Sequence, residues 1–351
     1  MKFLISLLFA CCFFSCTHID KKVQHSFYYW KTTFIADSNT TAIINKERID
    51  HFYIHYFDVA WSDYYDMPAP LAEISGFNNA TFFTQKQFTP VVFITNSCFQ
   101  RMQLNWCEAL AMKVSNRLNF ISNKIQRSYN EKAILPKNVQ ESIDEIQIDC
   151  DWTAATKEKY FSFLRSLKKL FPGKKISATI RLYPYKYSNI MGEPPVDKGL
   201  LMCYNISNIK DNNNPNSVFS LASLKQYLNA KKYPLQLDIG LPVFGWYAWF
   251  NNGKFKNIIY PNVADTSFYN NTFQKNNTNT ITLLTDTILN NNYLREGDVL
   301  RVEYPDPNEL EAAAKVLEDK FPNAGRISFY HWDKDLIKKY EASIHNIYNG
   351  Y

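Results

Sequence analysis

Glycine is scarce in this chain, with 10 residues among 351. Loops that cradle nucleotide phosphates depend on closely spaced glycines, and the sequence contains no phosphate-binding loop of this kind. It also contains no Gly-x-Ser-x-Gly segment, the turn that exposes the nucleophile of many serine hydrolases. These absences argue against a nucleotide-dependent enzyme and against a serine hydrolase of that type.

Clustered positive charge and metal-binding patterns are missing as well. The net charge of +6 comes from Lys and Arg scattered among Asp and Glu, so we expect no nucleic acid partner. His51 and His55 share one face of a predicted strand but lie about 13 Å apart, too far to bind one metal ion. The sequence thus predicts no metal site, and we interpret His331 as a groove residue.

The apolar run of residues 3–14 is too short for a membrane span and, with Lys2 before it, has the order of an export signal. The Ser15-Cys16 pair that follows resembles a bacterial lipobox. We expect residues 1–15 to be a lipoprotein signal peptide and Cys16 to carry the lipid. Cys11 is the alternative attachment residue, and an ordinary signal peptide is a third interpretation. The mature protein is then exported and anchored through its lipid in the bacterial cell envelope, on the periplasmic or outer face of the outer membrane.

Cysteines elsewhere do not form a spaced disulfide framework. Cys98, Cys107, Cys150 and Cys203 fall mostly within predicted strands or helices, which favours buried free thiols. A Cys98–Cys107 disulfide is the alternative in an oxidising compartment.

Aromatic residues are abundant, at 16% of the chain against 46% hydrophobic residues in total. This supply fills a large core and leaves rings for a ligand groove, and Tyr and Trp suit stacking on sugar faces. The candidates for sugar stacking are Trp61, Tyr183, Trp246 and Trp332.

Strand and helix patterns alternate along the chain. Eight predicted strands and five predicted helices indicate an α/β fold, a (β/α)₈ TIM barrel over residues 51–351, preceded by a tether and N-terminal segment at 16–50. A segment near residues 249–298 has no helical pattern and is predicted to be a β insertion that forms one wall of a groove. The predicted strands are 52–59, 91–95, 145–150, 176–182, 200–204, 235–241, 299–303 and 326–330, and the helices are 106–121, 157–170, 221–230, 307–321 and 336–347.

Polar side chains cluster where these strands end, which is where barrel enzymes place their chemistry. Loops are polar in any case, and this accounts for part of the pattern. The residues at or near strand ends are Asp58, Asn96, Asp149, Asp151, Arg181, Tyr204, Asn205, Glu303, Tyr330 and His331.

The segment 144–152 carries the strongest chemical signal. Gln147, Asp149 and Asp151 share one strand face, whereas Ile146 and Ile148 point to the other. Carboxylates two residues apart have Cα atoms about 6.6 Å apart and repel by roughly 2.5 kcal/mol, enough to raise one pKa by about 2. Such a pair suits general acid chemistry, with one carboxyl protonated and its neighbour ionised.

Three segments in order resemble glycoside hydrolase family 18, the chitinase-like barrels, and related bacterial lipoproteins. Residues 144–151 follow the spacing of the Asp-Gly-x-Asp-x-Asp-x-Glu signature, with Asp151 at the position of the catalytic Glu. Residues 202–205 are similar to Met-x-Tyr-Asp, and residues 240–245 to Gly-x-Pro-x-Tyr-Gly. The family has its acidic strand fourth, whereas the pattern here places it third. We therefore expect an overlooked strand between residues 60 and 89, in which case residues 299–303 belong to the insertion.

The resemblance implies acid-catalysed cleavage of a glycan containing N-acetyl sugars, with no cofactor. Asp151 is then the acid, Asp149 orients the sugar acetamide, and Tyr204 donates a hydrogen bond to it. Three alternatives remain open. One pairs Asp151 or Asp149 with Glu303 as two protein carboxylates, and a second is a surface lipoprotein that binds an oligo- or polysaccharide without cleaving it. A third is a purely structural lipoprotein whose aromatic residues serve as core. The residues expected to bind the glycan are Asp58, Trp61, Arg181, Tyr183, Asn205, Trp246, Glu303, Tyr330 and Trp332.

Overall fold

The computed structural model describes residues 23–35, 38–77, 86–130, 139–229, 232–260, 272–276 and 279–351. The expected signal peptide and Cys16 lie outside these ranges. In chain order the strands are β1 (Gln24–Tyr29), β2 (Thr33–Phe34), β3 (His51–Ser62), β4 (Met67–Leu71), β5 (Gly76–Phe77), β6 (Gln87–Ile94), β7 (Glu145–Asp149), β8 (Lys175–Arg181), β9 (Lys198–Met202), β10 (Leu237–Pro242), β11 (Trp246–Asn251), β12 (Lys254–Ile259), β13 (Phe273–Lys275), β14 (Thr280–Leu283), β15 (Thr287–Leu289), β16 (Asn292–Leu294), β17 (Val299–Glu303) and β18 (Arg326–Tyr330).

The five helices that the hydrophobic pattern predicts are present, with the bounds of 157–170 as predicted and one or both ends of the others shifted. Asp306 and Asp333 cap the last two helices by accepting hydrogen bonds from backbone N–H groups of the first turn, which explains where these helices begin. In chain order the helices are α1 (Ser38–Lys46), α2 (Asn96–Arg101), α3 (Cys107–Asn130), α4 (Lys157–Leu170), α5 (Leu182–Lys186), α6 (Ser188–Met191), α7 (Leu221–Leu228), α8 (Pro307–Lys320) and α9 (Lys334–Gly350).

Eight parallel strands close into a barrel, which confirms the (β/α)₈ fold. The order around the barrel is β1, β3, β6, β7, β8, β9, β10 and β18, and β1 closes it by pairing with both β3 and β18. In this order the acidic strand β7 is the fourth. The C-terminal ends of all eight strands meet at one mouth.

The predicted number of barrel strands was right, but one of the eight was wrong: residues 299–303 were assigned to the barrel in place of β1. The overlooked strand is β1, within the segment 16–50 that the sequence assigned to a tether, so the barrel begins at Gln24 and not at residue 51. The region 60–89 contributes β4, which pairs antiparallel with β3 outside the barrel. Residues 299–303 form β17 in the insertion, as expected if a barrel strand had been overlooked.

The insertion between β10 and α8 is a separate five-stranded sheet in the order β12, β11, β17, β14, β13. It spans residues 246–303, somewhat more than the expected 249–298. Its small core, built around Leu283, Leu294 and Leu300, is distinct from the main one. The predicted β insertion is therefore confirmed in kind, with wider bounds.

The barrel interior is polar at its N-terminal end. Glu145 lies among Arg326, Lys198 and Asp238, with Lys198 Nζ 2.9 Å from Glu145 Oε2 and 2.5 Å from Asp238 Oδ2. Burial acts to raise the pKa of Glu145, but Arg326 and Lys198 outweigh it and hold the pKa below its ordinary range. Charges this deep are tolerated because each has an opposite partner.

The four described cysteines are free thiols. Cys98, Cys107, Cys150 and Cys203 are buried and unpaired, so the Cys98–Cys107 disulfide does not form. Within the described ranges, no helix combines the length and apolar character needed to cross a membrane.

Replacing Glu145 by Gln leaves Arg326 and Lys198 with one buried carboxylate between them. We expect Glu145→Gln to lower the free energy of unfolding at pH 7 by about 3 kcal/mol, and urea denaturation measures this. The loss shrinks as pH falls from about 4.5, the ordinary value for glutamate, through the lowered pKa of Glu145, because the unfolded chain takes up a proton before the folded protein does. The exposed Glu141→Gln is the control, with an expected change within about 0.5 kcal/mol. Equal effects of the two variants contradict this account.

Candidate active site

A cavity of about 540 Å³ opens at the C-terminal mouth of the barrel. Aromatic rings supply most of its wall, and its acidic side chains are Asp149 at the end of β7 and Asp333 and Asp335 at the start of α9. Cavities of this size that combine aromatic rings with several polar groups are typical of small-molecule and sugar sites. The ring-bearing residues of the wall are Trp30, Tyr204, Phe244, Trp246, Tyr260, Tyr304, Tyr330 and His331.

Asp149 ends strand β7 and points into the barrel, as the alternation of Gln147 and Asp149 predicts. Thr179 of the neighbouring strand β8 donates a hydrogen bond of 2.5 Å to its Oδ1. Burial, followed by the charge of Asp151, raises the pKa of Asp149 to about 7, although Thr179 and Arg181 act in the opposite direction. The carboxyl is therefore partly protonated at neutral pH, the condition for a general acid.

Asp151 lies two residues further on and differs from Asp149 in exposure and in its bonding partner. Its side chain is 51% exposed, and Arg181 Nε lies 3.0 Å from its Oδ1. Arg181 also donates a hydrogen bond of 3.3 Å to the Trp152 carbonyl, which holds the pair at the rim. Asp151 and Arg181 do not line the cavity.

Tyr204 and Asn205 follow β9 and both line the cavity, as predicted. The Tyr204 ring stacks on that of Tyr330, with centroids 5.4 Å apart, and burial raises the pKa of Tyr204 well above its ordinary value. Tyr204 is therefore a neutral hydroxyl that can donate a hydrogen bond. Asn205 has a φ of 53°, a left-handed conformation that asparagine adopts more readily than most residues.

Trp246 lines the cavity, but Glu303 does not. Glu303 is fully buried at the end of β17, where it accepts hydrogen bonds from Arg301 Nε at 2.6 Å and Trp246 Nε1 at 3.0 Å. Its neighbour Gly245 packs so closely that a Cβ there would lie 2.3 Å from the Glu303 carbonyl oxygen. The expectation that Glu303 acts as a catalytic or glycan-binding carboxylate is therefore wrong, because the side chain is buried and its oxygens already accept hydrogen bonds from Arg301 and Trp246.

Three predicted aromatic residues lie away from the cavity wall. Trp332 is 2% exposed and packs edge-on against Phe27 in the core outside the barrel, so it is not a sugar platform. Trp61 stacks on Trp106 at the far end of β3, also outside the cavity. Tyr183 is half exposed on α5, near the rim that carries Arg181.

Asp58 lies on β3 and, like Asp151, is not part of the cavity wall. His55 Nε2 contacts its Oδ1 at 2.6 Å, and the His55 ring lies 4.7 Å from that of Trp30. The negative charge of Asp58 contributes, as the smallest of several causes, to the raised pKa of both Asp149 and Tyr330. Trp30, Tyr260 and Tyr304 are wall residues that the sequence prediction missed. Trp30 follows the unrecognised β1, Tyr260 follows β12 within the insertion, and Tyr304 directly follows the insertion.

The fold and the site together define a (β/α)₈ barrel protein with an acidic residue inside a ring-lined mouth. In the part of the chain that the structure describes, no three His, Cys, Asp or Glu side chains are grouped to hold a metal ion. The arrangement offers a proton donor, hydrogen-bonding hydroxyls and stacking surfaces.

Comparison with known structures identifies barrels of the same architecture. The spore cortex-lytic enzyme SleL of Bacillus cereus is 16% identical, with a TM-score of 0.52 over 92% of this chain and 74% of that chain. The chitinase ChiW of Paenibacillus sp. FPU-7 is 11% identical, with a TM-score of 0.54 over 93% of this chain and 33% of that chain. A family 18 N-acetylglucosaminidase from Paenibacillus barengoltzii is 11% identical, with a TM-score of 0.48 over 94% of this chain and all of that chain.

Comparison with protein-family models and with curated protein sequences gives no match. The likeness to SleL and ChiW is one of fold, because identity is 16% or less. At that level it confirms the expected resemblance to chitinase-like barrels.

Replacing Asp149 by Asn tests the electrostatic account of the site. Because its pKa is higher in the folded protein than in the unfolded chain, the wild-type protein loses stability as pH rises from about 4 to about 7. We expect Asp149→Asn to raise the free energy of unfolding at pH 8 by roughly 2 kcal/mol, with little change at pH 4. Urea denaturation at both pH values measures this, with the exposed Asp144→Asn as control. A pH-independent difference between wild type and Asp149→Asn contradicts the raised pKa.

Proposed function

We propose that the protein is an exported glycoside hydrolase-like lipoprotein that binds an oligo- or polysaccharide in the barrel mouth and cleaves it by acid catalysis. The observation that carries this proposal is Asp149, a carboxyl with a raised pKa inside a cavity walled by aromatic rings. Glycosidases need a carboxylic acid that is still protonated near neutral pH to protonate the leaving oxygen.

The aromatic wall supports a sugar ligand. Tyr204 and Tyr330 stack on each other, and Phe244 meets both rings edge-on with centroids 5.6 Å and 5.4 Å away. This packing fixes the rings before a ligand arrives, so that binding costs little side-chain ordering. Trp246 and Tyr260 extend the ring surface from the insertion.

N-acetyl sugars are the proposed substrate class. The signature-like segment 144–151 and the positions of Tyr204 and Asn205 resemble family 18, and one structural neighbour, ChiW, is a chitinase. In a substrate of this class the Tyr204 hydroxyl can donate a hydrogen bond to the acetamide oxygen. Asp149 and Tyr204 both line the cavity, which allows them to act on one sugar residue.

A second candidate is glycan binding without cleavage. It is favoured by Asp151, the residue at the family's catalytic position, which is bound to Arg181 outside the cavity wall. A carboxyl outside the cavity wall is not placed to protonate the glycosidic oxygen of a glycan bound inside it. The two candidates share the binding site and differ in turnover.

Product release from a panel of oligosaccharides tests the proposal. We expect the purified protein to shorten N-acetylated chito-oligosaccharides, and Asp149→Asn to lower kcat at least 100-fold while the Kd changes less than fivefold. Asp319→Asn, on the exposed end of α8, is the control and retains full activity. Chromatography measures the products and calorimetry the binding. Binding without turnover of any glycan overturns the hydrolase in favour of the second candidate, and the absence of binding overturns both.

The lipid anchor is proposed from residues 1–16 and has its own test. We expect the chain expressed in a bacterium to incorporate labelled palmitate and to partition with membranes. Cys16→Ser abolishes both, whereas the matched Cys11→Ser changes neither, because the thioether to the lipid forms on one cysteine. Loss of label from Cys11→Ser alone moves the anchor to that residue, and label in neither protein leaves an ordinary signal peptide.

A further inference from the structure

A second cavity, of about 740 Å³, lies at the N-terminal face of the barrel, opposite the mouth. Its wall is formed by residues 232–237, which lead into β10, and by residues 320–324, which connect α8 to β18. Tyr185 of α5 also lines it, with its ring 5.6 Å from that of Tyr233 and 5.9 Å from that of Phe321. The volume is in the range of ligand pockets, and the proposed glycan reaction does not involve this cavity.

Two tyrosine hydroxyls in this wall are buried without a partner. Tyr185 is 2% exposed and Tyr233 is 5% exposed, and neither hydroxyl has a hydrogen-bond partner among the described residues. Burial raises the pKa of Tyr185 to about 12, and burial followed by the charge of Glu193 raises the pKa of Tyr233 as well. Both groups are therefore neutral hydroxyls that can donate a hydrogen bond. Since buried polar groups are rarely left unpaired, two such donors in one wall indicate a ligand with acceptor oxygens.

The charge of the wall favours an anionic ligand. Lys232 and Lys320 are exposed and line the cavity, whereas no Asp or Glu among the described residues does so. Much of the remaining wall is apolar, as at Leu235, Phe321 and Pro322. The matching ligand has an apolar part and an anionic group with acceptor oxygens, and an anionic phospholipid combines the two.

The path of the chain into the barrel indicates a membrane as the source of this lipid. β1 begins at Gln24, whose N–H donates a hydrogen bond of 3.0 Å to the Gly325 carbonyl, next to the wall segment 320–324. The chain from Cys16 to Gln24 spans at most about 28 Å. A lipid on Cys16, as proposed, therefore keeps the N-terminal face close to the membrane surface. The mouth lies at the other end of a barrel that α9 flanks over about 25 Å.

We propose that this cavity binds the phosphate and the adjoining acyl carbons of one anionic phospholipid in the membrane that carries the anchor. The inference goes beyond the proposed glycan chemistry and rests on the proposed function only for the lipid anchor. The hydroxyls of Tyr185 and Tyr233 donate hydrogen bonds to phosphate oxygens, Lys232 supplies positive charge, and the apolar wall contacts the acyl carbons. The N-terminal face is then held on the membrane, and the mouth is directed away from it.

Vesicle sedimentation of residues 17–351 tests the inference without the anchor. This part of the chain contains every described strand and helix, so the closed barrel is complete, and it lacks the signal peptide and Cys16. We expect it to sediment with vesicles of phosphatidylglycerol mixed with phosphatidylcholine and not with vesicles of phosphatidylcholine alone. The double variant Tyr185→Phe/Tyr233→Phe should lower the partition coefficient at least tenfold, and Lys232→Gln should lower it about fivefold.

Two variants serve as matched controls and should bind vesicles as the wild type does. Tyr160 also has a buried hydroxyl without a partner among the described residues but does not line this cavity, so Tyr160→Phe controls for the loss of such a hydroxyl. Lys210→Gln removes one exposed charge from the loop after β9, on the mouth side. Removing an unpartnered hydroxyl leaves no new unpaired group, so urea denaturation should show the Tyr→Phe variants to be at least as stable as the wild type.

Three results overturn the inference: no binding to either kind of vesicle, binding that Tyr185→Phe/Tyr233→Phe leaves unchanged, or displacement by inorganic phosphate equal in amount to the lipid phosphate. The second result means adsorption by surface charge alone, and the third a site for free phosphate. Lys232→Gln keeps the test decisive if the double variant does not fold. Because glycan cleavage and palmitate labelling of Cys16 are measured separately, their failure overturns the proposed function while vesicle binding by the anchor-free chain still supports the lipid site.

Discussion

The strand alternation of β7 inside a closed barrel is the constraint on which this structure depends. Successive side chains of a strand alternate between the two faces of the sheet, and in a closed barrel one face is the narrow interior. Glu145, Gln147 and Asp149 therefore all point into that interior. Each buried polar group then requires a partner. Glu145 has Arg326 and Lys198, and Gln147 accepts a hydrogen bond of 2.6 Å from Tyr28. Asp149, at the mouth, has one hydroxyl partner and a cavity.

The two ends of β7 therefore differ: the carboxylate at the N-terminal end is held by cations, whereas the carboxyl at the C-terminal end faces the cavity. At the N-terminal end, charges of opposite sign lower the pKa of Glu145 and stabilise the fold. Four residues on, burial without a bonded cation raises the pKa of Asp149. Two carboxyl groups on one strand therefore have pKa values shifted in opposite directions, because their neighbours on other strands differ.

Much of the fold follows from hydrophobic patterns. The alternation of strands and helices predicts the barrel, and seven of its eight strands were recognised from short apolar runs. β1 was missed because Gln24–Tyr29 follows a polar stretch and is too rich in aromatic residues to show a clear period of two. β17 was taken for a barrel strand because a five-residue apolar pattern is the same in either sheet, and only pairing distinguishes them.

For the candidate site, too, the sequence predicts some features and the tertiary structure decides others. The chain by itself determined that Asp149 and Asp151 follow a buried strand and that Tyr204, Asn205 and Tyr330 end others, because these positions depend on local periodicity. Only the tertiary structure decided that Asp149 enters the cavity, that Asp151 is bound to Arg181, that Glu303 is buried beside Arg301 and that Trp332 belongs to the core. It also decided that Asp58 contacts His55 and does not line the cavity. The reason is that pKa, exposure and distance across the mouth depend on residues far apart in sequence, which only closure of the barrel brings together.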